Sequence, residues 1–331
     1  MKKIVISICS IALLVSSCGD SKEKKVDASG KTIATSIPES QFESAEFIDK
    51  YNAYIDFGNS FPKSVISSSD SYFRWADYEN GPKGAKNPSG ITTIYNYPLE
   101  KLAKAFEKGP EIKEIDGLMK IVYDKAIKLQ ATVQEANDYY DIQDYKDDNF
   151  EKGELFHKRL VVDFEEYYKA YDTMNAEFQV LQNELFVYDA EKYKKNGELI
   201  KYDLMMSLHE AEGVLFLIGN LDGPDLKTID LNKYDSGMAN FRKIYDELVE
   251  FSTNEEQLKK ELTGNVFSES KYKEYLKDCA DFIRESRTLK ERIEKNDFKY
   301  SIVHPNIPDK GSPTKLSKIY SEMISDYNGM M

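Results

Sequence analysis

This sequence has few cysteines with which to form an internal disulfide. It has three cysteines in 331 residues. Cys9 lies in an N-terminal apolar segment and Cys18 follows that segment directly, which leaves Cys279 alone in the rest of the chain. The fold must therefore be held by its core, and residues 41–331 are long enough to bury a sizeable one. Basic charge is also short, with 45 Lys and Arg against 58 Asp and Glu for a net charge of −13. An acidic surface is repelled by phosphate backbones and anionic head groups, so nucleic-acid binding is excluded. There is no GxSxG, phosphate loop, dinucleotide fingerprint or His-Glu-x-x-His, which weakens enzyme readings and implies no cofactor. No alternation of apolar and polar residues is long enough to propose a sheet.

The N-terminus carries a processing signal. Lys2 and Lys3 precede a twelve-residue apolar run, residues 4–15, that ends in Val15-Ser16-Ser17-Cys18. Twelve residues are too few to span a bilayer, which takes roughly 20, but suit a signal-peptide core. The ending resembles the bacterial lipobox. That resemblance implies cleavage after Ser17, a diacylglyceryl group on the Cys18 sulfur and acylation of the new amine. Buried acyl chains contribute about 0.8 kcal/mol per methylene, so such an anchor is stable. Gly19 follows, and the absence of Asp there points to the outer membrane. Cleavage removes two lysines and no acid, taking the net charge from −13 to −15. Residues 18–40 are polar and read as a flexible tether with a reach of roughly 25 Å.

From residue 41 the signal is helical. Phe156, Leu160, Phe164, Tyr167, Tyr171, Met174, Phe178, Leu181, Leu185 and Tyr188 recur at spacings of four and three. This heptad seam predicts a helix over 150–195, roughly 60–70 Å long, packed along partners. The partners are predicted at 41–79 (with Pro62 as a kink), 98–107, 111–147, 198–222, 231–252, 268–297 and 313–328. Breakers such as Asn80-Gly81-Pro82, Lys108-Gly109-Pro110, Asn196-Gly197 and Asp222-Gly223-Pro224 separate them. The expectation is one all-α domain over 41–331, an elongated antiparallel bundle of long helices.

Several segments are distinctive: Tyr51-Asn52-Ala53-Tyr54, the run from Tyr139 to Phe150 followed by His157, and Gly311-Ser312-Pro313 followed by Tyr327-Asn328. With the lipobox they resemble the YiiG-like family of bacterial lipoproteins over nearly the whole mature chain. The resemblance implies a helical fold and supplies no catalytic residue.

Three places are candidates for chemistry. Asp138, Asp141, Asp144 and Asp148 fall at i, i+3, i+6 and i+10 and so share a helix face, with Tyr139, Tyr140 and Tyr145 flanking them. They suit a cation, a sugar or a basic peptide, or else form a solvated helix end; the glycine and spacing of an EF-hand are missing. His209 and Glu212 lie one turn apart, beside Leu208, Leu215 and Phe216, as a core pair or as two ligands of a metal that needs a third. Ser207-Leu208-His209-Glu210-Ala211-Glu212, followed by Val214-Leu215-Phe216, is similar to the His-x-x-Glu helix of imelysin-like envelope proteins, which carry glycine where Ser207 stands. Cys279 lies on an apolar stripe and reads as a small buried thiol. Trp75 either caps the bundle or marks a contact patch. The functional expectation is a membrane-anchored envelope lipoprotein with a binding or structural role, its partner an envelope protein or a small cationic or sugar ligand. The alternative is an imelysin-like metal-binding or peptidase-type protein.

Overall fold

The computed structural model describes residues 38–262, 268–299 and 308–331. The expected signal peptide, Cys18 and nearly all of the expected tether lie outside them. Among the described residues there is no strand, and the chain is all-α. No helix there is long and apolar enough to cross a membrane. Chain contacts divide the described residues into two compact units, 38–186 and 187–331.

The first unit is built on α1 (Ala45–Phe73), α2 (Tyr97–Ala105), α3 (Lys113–Asp141) and the larger part of α4 (Glu151–Asn196). Ser44 caps α1 by accepting the Phe47 N–H at 3.2 Å. Such a cap satisfies a donor that has no partner within the helix. Tyr51 meets Phe178, Phe61 meets Tyr167 and Phe73 meets Phe164 at ring separations of 5.5, 5.7 and 6.1 Å. Positions rising along α1 thus meet positions falling along α4, and the two helices are antiparallel. The same holds for α3, since Thr132 bonds Asp163 at 2.7 Å while Tyr139 packs on Phe156 at 5.4 Å. The heptad seam is buried from Leu160 to Leu185, and only its ends, Phe156 and Tyr188, are half-exposed.

Pro62 sits inside α1 rather than ending it. Proline cannot donate to the carbonyl four residues back. That carbonyl, on Gly58, instead lies 3.5 Å from the Tyr171 hydroxyl of α4.

The second unit holds α5 (Leu199–Ile218), α6 (Leu231–Phe251), α7 (Glu255–Glu261), α8 (Ser268–Lys295) and α9 (Pro313–Met330). Tyrosine hydroxyls tie its helices together through main-chain oxygens. Tyr272 donates to Leu248 O at 2.6 Å and Tyr234 to Ser286 O at 3.0 Å, which sets α8 antiparallel to α6. Gly311, before α9, has φ +63, and a Cβ there would meet Thr288 at 2.6 Å. Its N–H donates to buried Glu285 at 2.7 Å. Only glycine fits a backbone pressed this closely onto α8.

Most helix ends expected from periodicity fall within two residues of those observed, but α1 begins at Ala45 rather than at 41, α5 ends at Ile218 rather than at 222, and three differences are larger. α1 ends at Phe73 rather than at 79, and α3 ends at Asp141 rather than at 147. The seven-residue α7 carried too few turns to register as a period.

Candidate functional site

The early end of α3 changes the acidic-tyrosine run. Gln143 takes a left-handed conformation (φ 65), a 3-10 turn spans Asp144–Lys146, and Asn149 and Phe150 are again left-handed before α4 begins. Asp138, Asp141, Asp144 and Asp148 therefore do not share one helix face. Asp138 accepts from the Gln134 amide at 2.7 Å, and Asp141 is the exposed last residue of its helix. Asp144 is half-buried in the turn. Asp148 has a structural place, taking the Tyr139 hydroxyl at 2.7 Å and the Lys152 N–H at 3.1 Å. It thus caps the first turn of α4 while holding the end of α3. Its carboxyl is lowered by those hydrogen bonds, against a desolvation that raises it and is the largest single influence. Tyr139 and Tyr140 are buried, with only Tyr145 half-exposed, stacked on Phe150 at 5.0 Å.

Behind this turn lies a cluster that sequence reasoning missed. Tyr72, at the end of α1, donates to His157 Nδ1 at 3.0 Å, and His157 Nε2 lies 3.1 Å from the Tyr78 carbonyl. A carbonyl only accepts, so Nε2 carries the proton and Nδ1 takes the tyrosine's. Trp75, just past the end of α1, packs edge-on against Tyr140 at 4.8 Å and Tyr72 at 5.1 Å. Glu154 completes the group, set against Gly81, where a Cβ would lie 3.1 Å from both carboxylate oxygens. Burial, then Tyr140, then the Glu154 charge push the Tyr72 hydroxyl well above its ordinary pKa, and burial does the same for Tyr140. Both phenols stay neutral. Trp75 Nε1 and Glu154 Oε1 are buried and have no hydrogen-bond partner, which is costly for a donor and for an acceptor alike. The one cue in the sequence was a glycine, Gly153, early in a long helix; a Cβ there would meet the Tyr140 hydroxyl at 3.0 Å.

A cleft of about 400 Å³ opens elsewhere in the first unit, lined by Lys50, Phe106, Lys108, Glu111, Asp116 and Lys120, among others. Its floor is a buried ion pair between Lys50 and Asp116. Asp116 also accepts from Tyr54 at 2.6 Å and from Ile112 N at 3.3 Å, and Lys50 donates to Pro110 O at 3.1 Å. Both carboxylate oxygens are thereby engaged, so the pair reads as a pin fixing α1 to the start of α3.

In the second unit His209 is exposed and Glu212 half-buried, with burial raising the Glu212 carboxyl to about 7. Phe216, expected to help bury this pair, is itself exposed. Among the described residues no three His, Cys, Asp or Glu are grouped to hold a metal ion. Cys279 is fully buried, and that burial pushes its thiol well up.

The model of a family described as "Protein of unknown function (DUF3829)" matches residues 45–329, from the first residue of α1 to the last turn of α9. The chain belongs to this family. It is similar to "Uncharacterized protein YiiG" of Escherichia coli (strain K12), 24% identical over 325 residues that cover 92% of this chain and 84% of the relative. No solved structure matches. These descriptions assign no activity, so the family supplies no role for any side chain and the site rests on geometry. Two segments that carried the resemblance, Tyr139–Phe150 and His157, meet in the Tyr72–Glu154 cluster.

Proposed function

We propose that this family member is a lipid-anchored protein of the bacterial envelope, held at the outer membrane through acylated Cys18, whose helical domain recognises a ligand rather than catalysing a reaction. The anchor rests on Lys2-Lys3, the twelve-residue apolar run and Val15-Ser16-Ser17-Cys18. The binding role rests on one observation: Trp75 Nε1 and Glu154 Oε1, a donor and an acceptor, are buried without partners beside the same two tyrosines. A hydroxyl both accepts and donates, so a hydroxyl-bearing ligand such as a sugar is the chemistry that fits. His157 has both ring nitrogens engaged and the phenols are held neutral, which favours recognition over proton transfer.

Trp75 is the single tryptophan, so its emission reports this cluster alone. Titration with envelope oligosaccharides should shift that emission saturably, and Glu154→Gln should weaken the response. An emission unmoved by any of them removes the binding reading. For the anchor, Cys18→Ala should leave the signal peptide uncleaved and abolish acyl labelling; labelling that persists overturns it.

A further inference from the structure

A second groove, of about 310 Å³, runs between α6 and α8. Its apolar lining includes Met238, Ile283 and Tyr234. Ser286, 1% exposed, lines it too, and its Oγ has no hydrogen-bond partner. The lining carries three cations, Arg242, Arg287 and Lys290, against the single carboxylate of Asp235. That balance is the reverse of the chain's net charge of −13.

The three cations differ in what they already hold. Lys290 holds both oxygens of Asp235, at 2.7 and 2.8 Å. Arg242 holds both of Asp246, at 2.9 Å each. Arg287 is exposed, and among the described residues no carboxylate lies within ion-pair distance of it. A guanidinium offers a planar pair of donors that matches a carboxylate. The same lining carries the orphaned Ser286 hydroxyl and Met238, a side chain that adapts to the shape of a chain.

We propose that this groove binds an amphipathic monocarboxylate, with its carboxylate on Arg287 and Ser286 and its hydrocarbon body along Met238 and Ile283. A short unbranched acid such as octanoate has the carboxylate and the hydrocarbon body that this lining would meet. A phosphate monoester would carry a second charge with only one unengaged cation to meet it.

The test is equilibrium dialysis of radiolabelled octanoate against the full chain in lipid nanodiscs, with empty discs as the blank. We expect saturable uptake of one equivalent. Arg287→Gln should weaken it at least tenfold and Ser286→Ala several-fold, while Arg287→Lys should recover part of the loss. Octanol and octylamine, which share the tail and lack the carboxylate, should not compete. Because Arg287 is exposed its replacement leaves the packing intact, and an unchanged melting temperature checks this. Uptake no greater than that of empty discs, equal competition by octanol, or an octanoate Kd unchanged in Arg287→Gln each overturns the assignment.

Discussion

Replacing Asp203 by Asn should make the protein more stable, by an amount that grows as pH rises from about 4 to about 7. Asp203 lies on α5 and is 6% exposed. Burial first, then the charges of Glu247 and Glu261, raise its carboxyl to about 7, with Lys243 opposing them. In the unfolded chain the group returns to about 4. Between those values the native state holds a proton that the unfolded chain has released, so stability falls as pH rises through that window. Below about pH 4 both states are protonated and the penalty vanishes; above about pH 7 it is complete. A difference of about three pH units, at 1.36 kcal/mol each, sets a ceiling of about 4 kcal/mol. Asparagine has the same shape and never ionises, so it removes the penalty. The assay is urea unfolding followed by far-UV circular dichroism at intervals from about pH 4 to pH 8. Glu212 and Asp278, raised to about 7 and about 6, titrate in the same range, and the variant-minus-native difference cancels them. That difference should be near zero at the acid end and rise toward the ceiling. A difference that stays flat with pH, or a variant less stable at pH 8, refutes the reasoning.

The Lys50–Asp116 pin should behave as buried ion pairs do: Asp116→Ala leaves an ammonium buried alone and should cost about 3–5 kcal/mol in denaturant unfolding, whereas Lys50→Met with Asp116→Leu should recover most of it. Asp148→Ala, which loses the cap on α4, should cost about 1 kcal/mol, while Asp141→Asn, at an exposed helix end, should leave the melting temperature unchanged. Phe164→Ala in the seam should cost about 3–5 kcal/mol with native helix content retained by circular dichroism below the transition. If Asp141 and Asp148 respond alike, the division of the acidic run into a cap and a free surface residue is wrong.

The residues by themselves determined where most helices run. A heptad spacing held from Leu160 to Leu185 is a local property, since every seam residue is read from its neighbours three and four places away. The Gly-Pro breakers at 81–82, 109–110 and 223–224 are equally local, and each falls between α-helices as expected, the last of them opening a 3-10 helix, Gly223–Thr228. The end of α3 was not legible, because no glycine or proline marks it. Gln143, Asn149 and Phe150 take left-handed conformations only because Tyr139, Asp148 and the start of α4 hold the turn. The same limit governed the sites. Lys50 and Asp116 are 66 residues apart and Tyr72 and His157 are 85 apart, and nothing in a helical period says which distant face will cover another. Trp75 and Glu154 each look ordinary in sequence; only packing buries both without partners. The groove between α6 and α8 likewise exists because Tyr234 and Tyr272 pin those helices antiparallel, which brings Arg287 and Ser286 beside Met238. Local periodicity dictates helices, while charge and hydrogen-bond complementarity between distant segments is decided only once the tertiary structure has excluded water from between them.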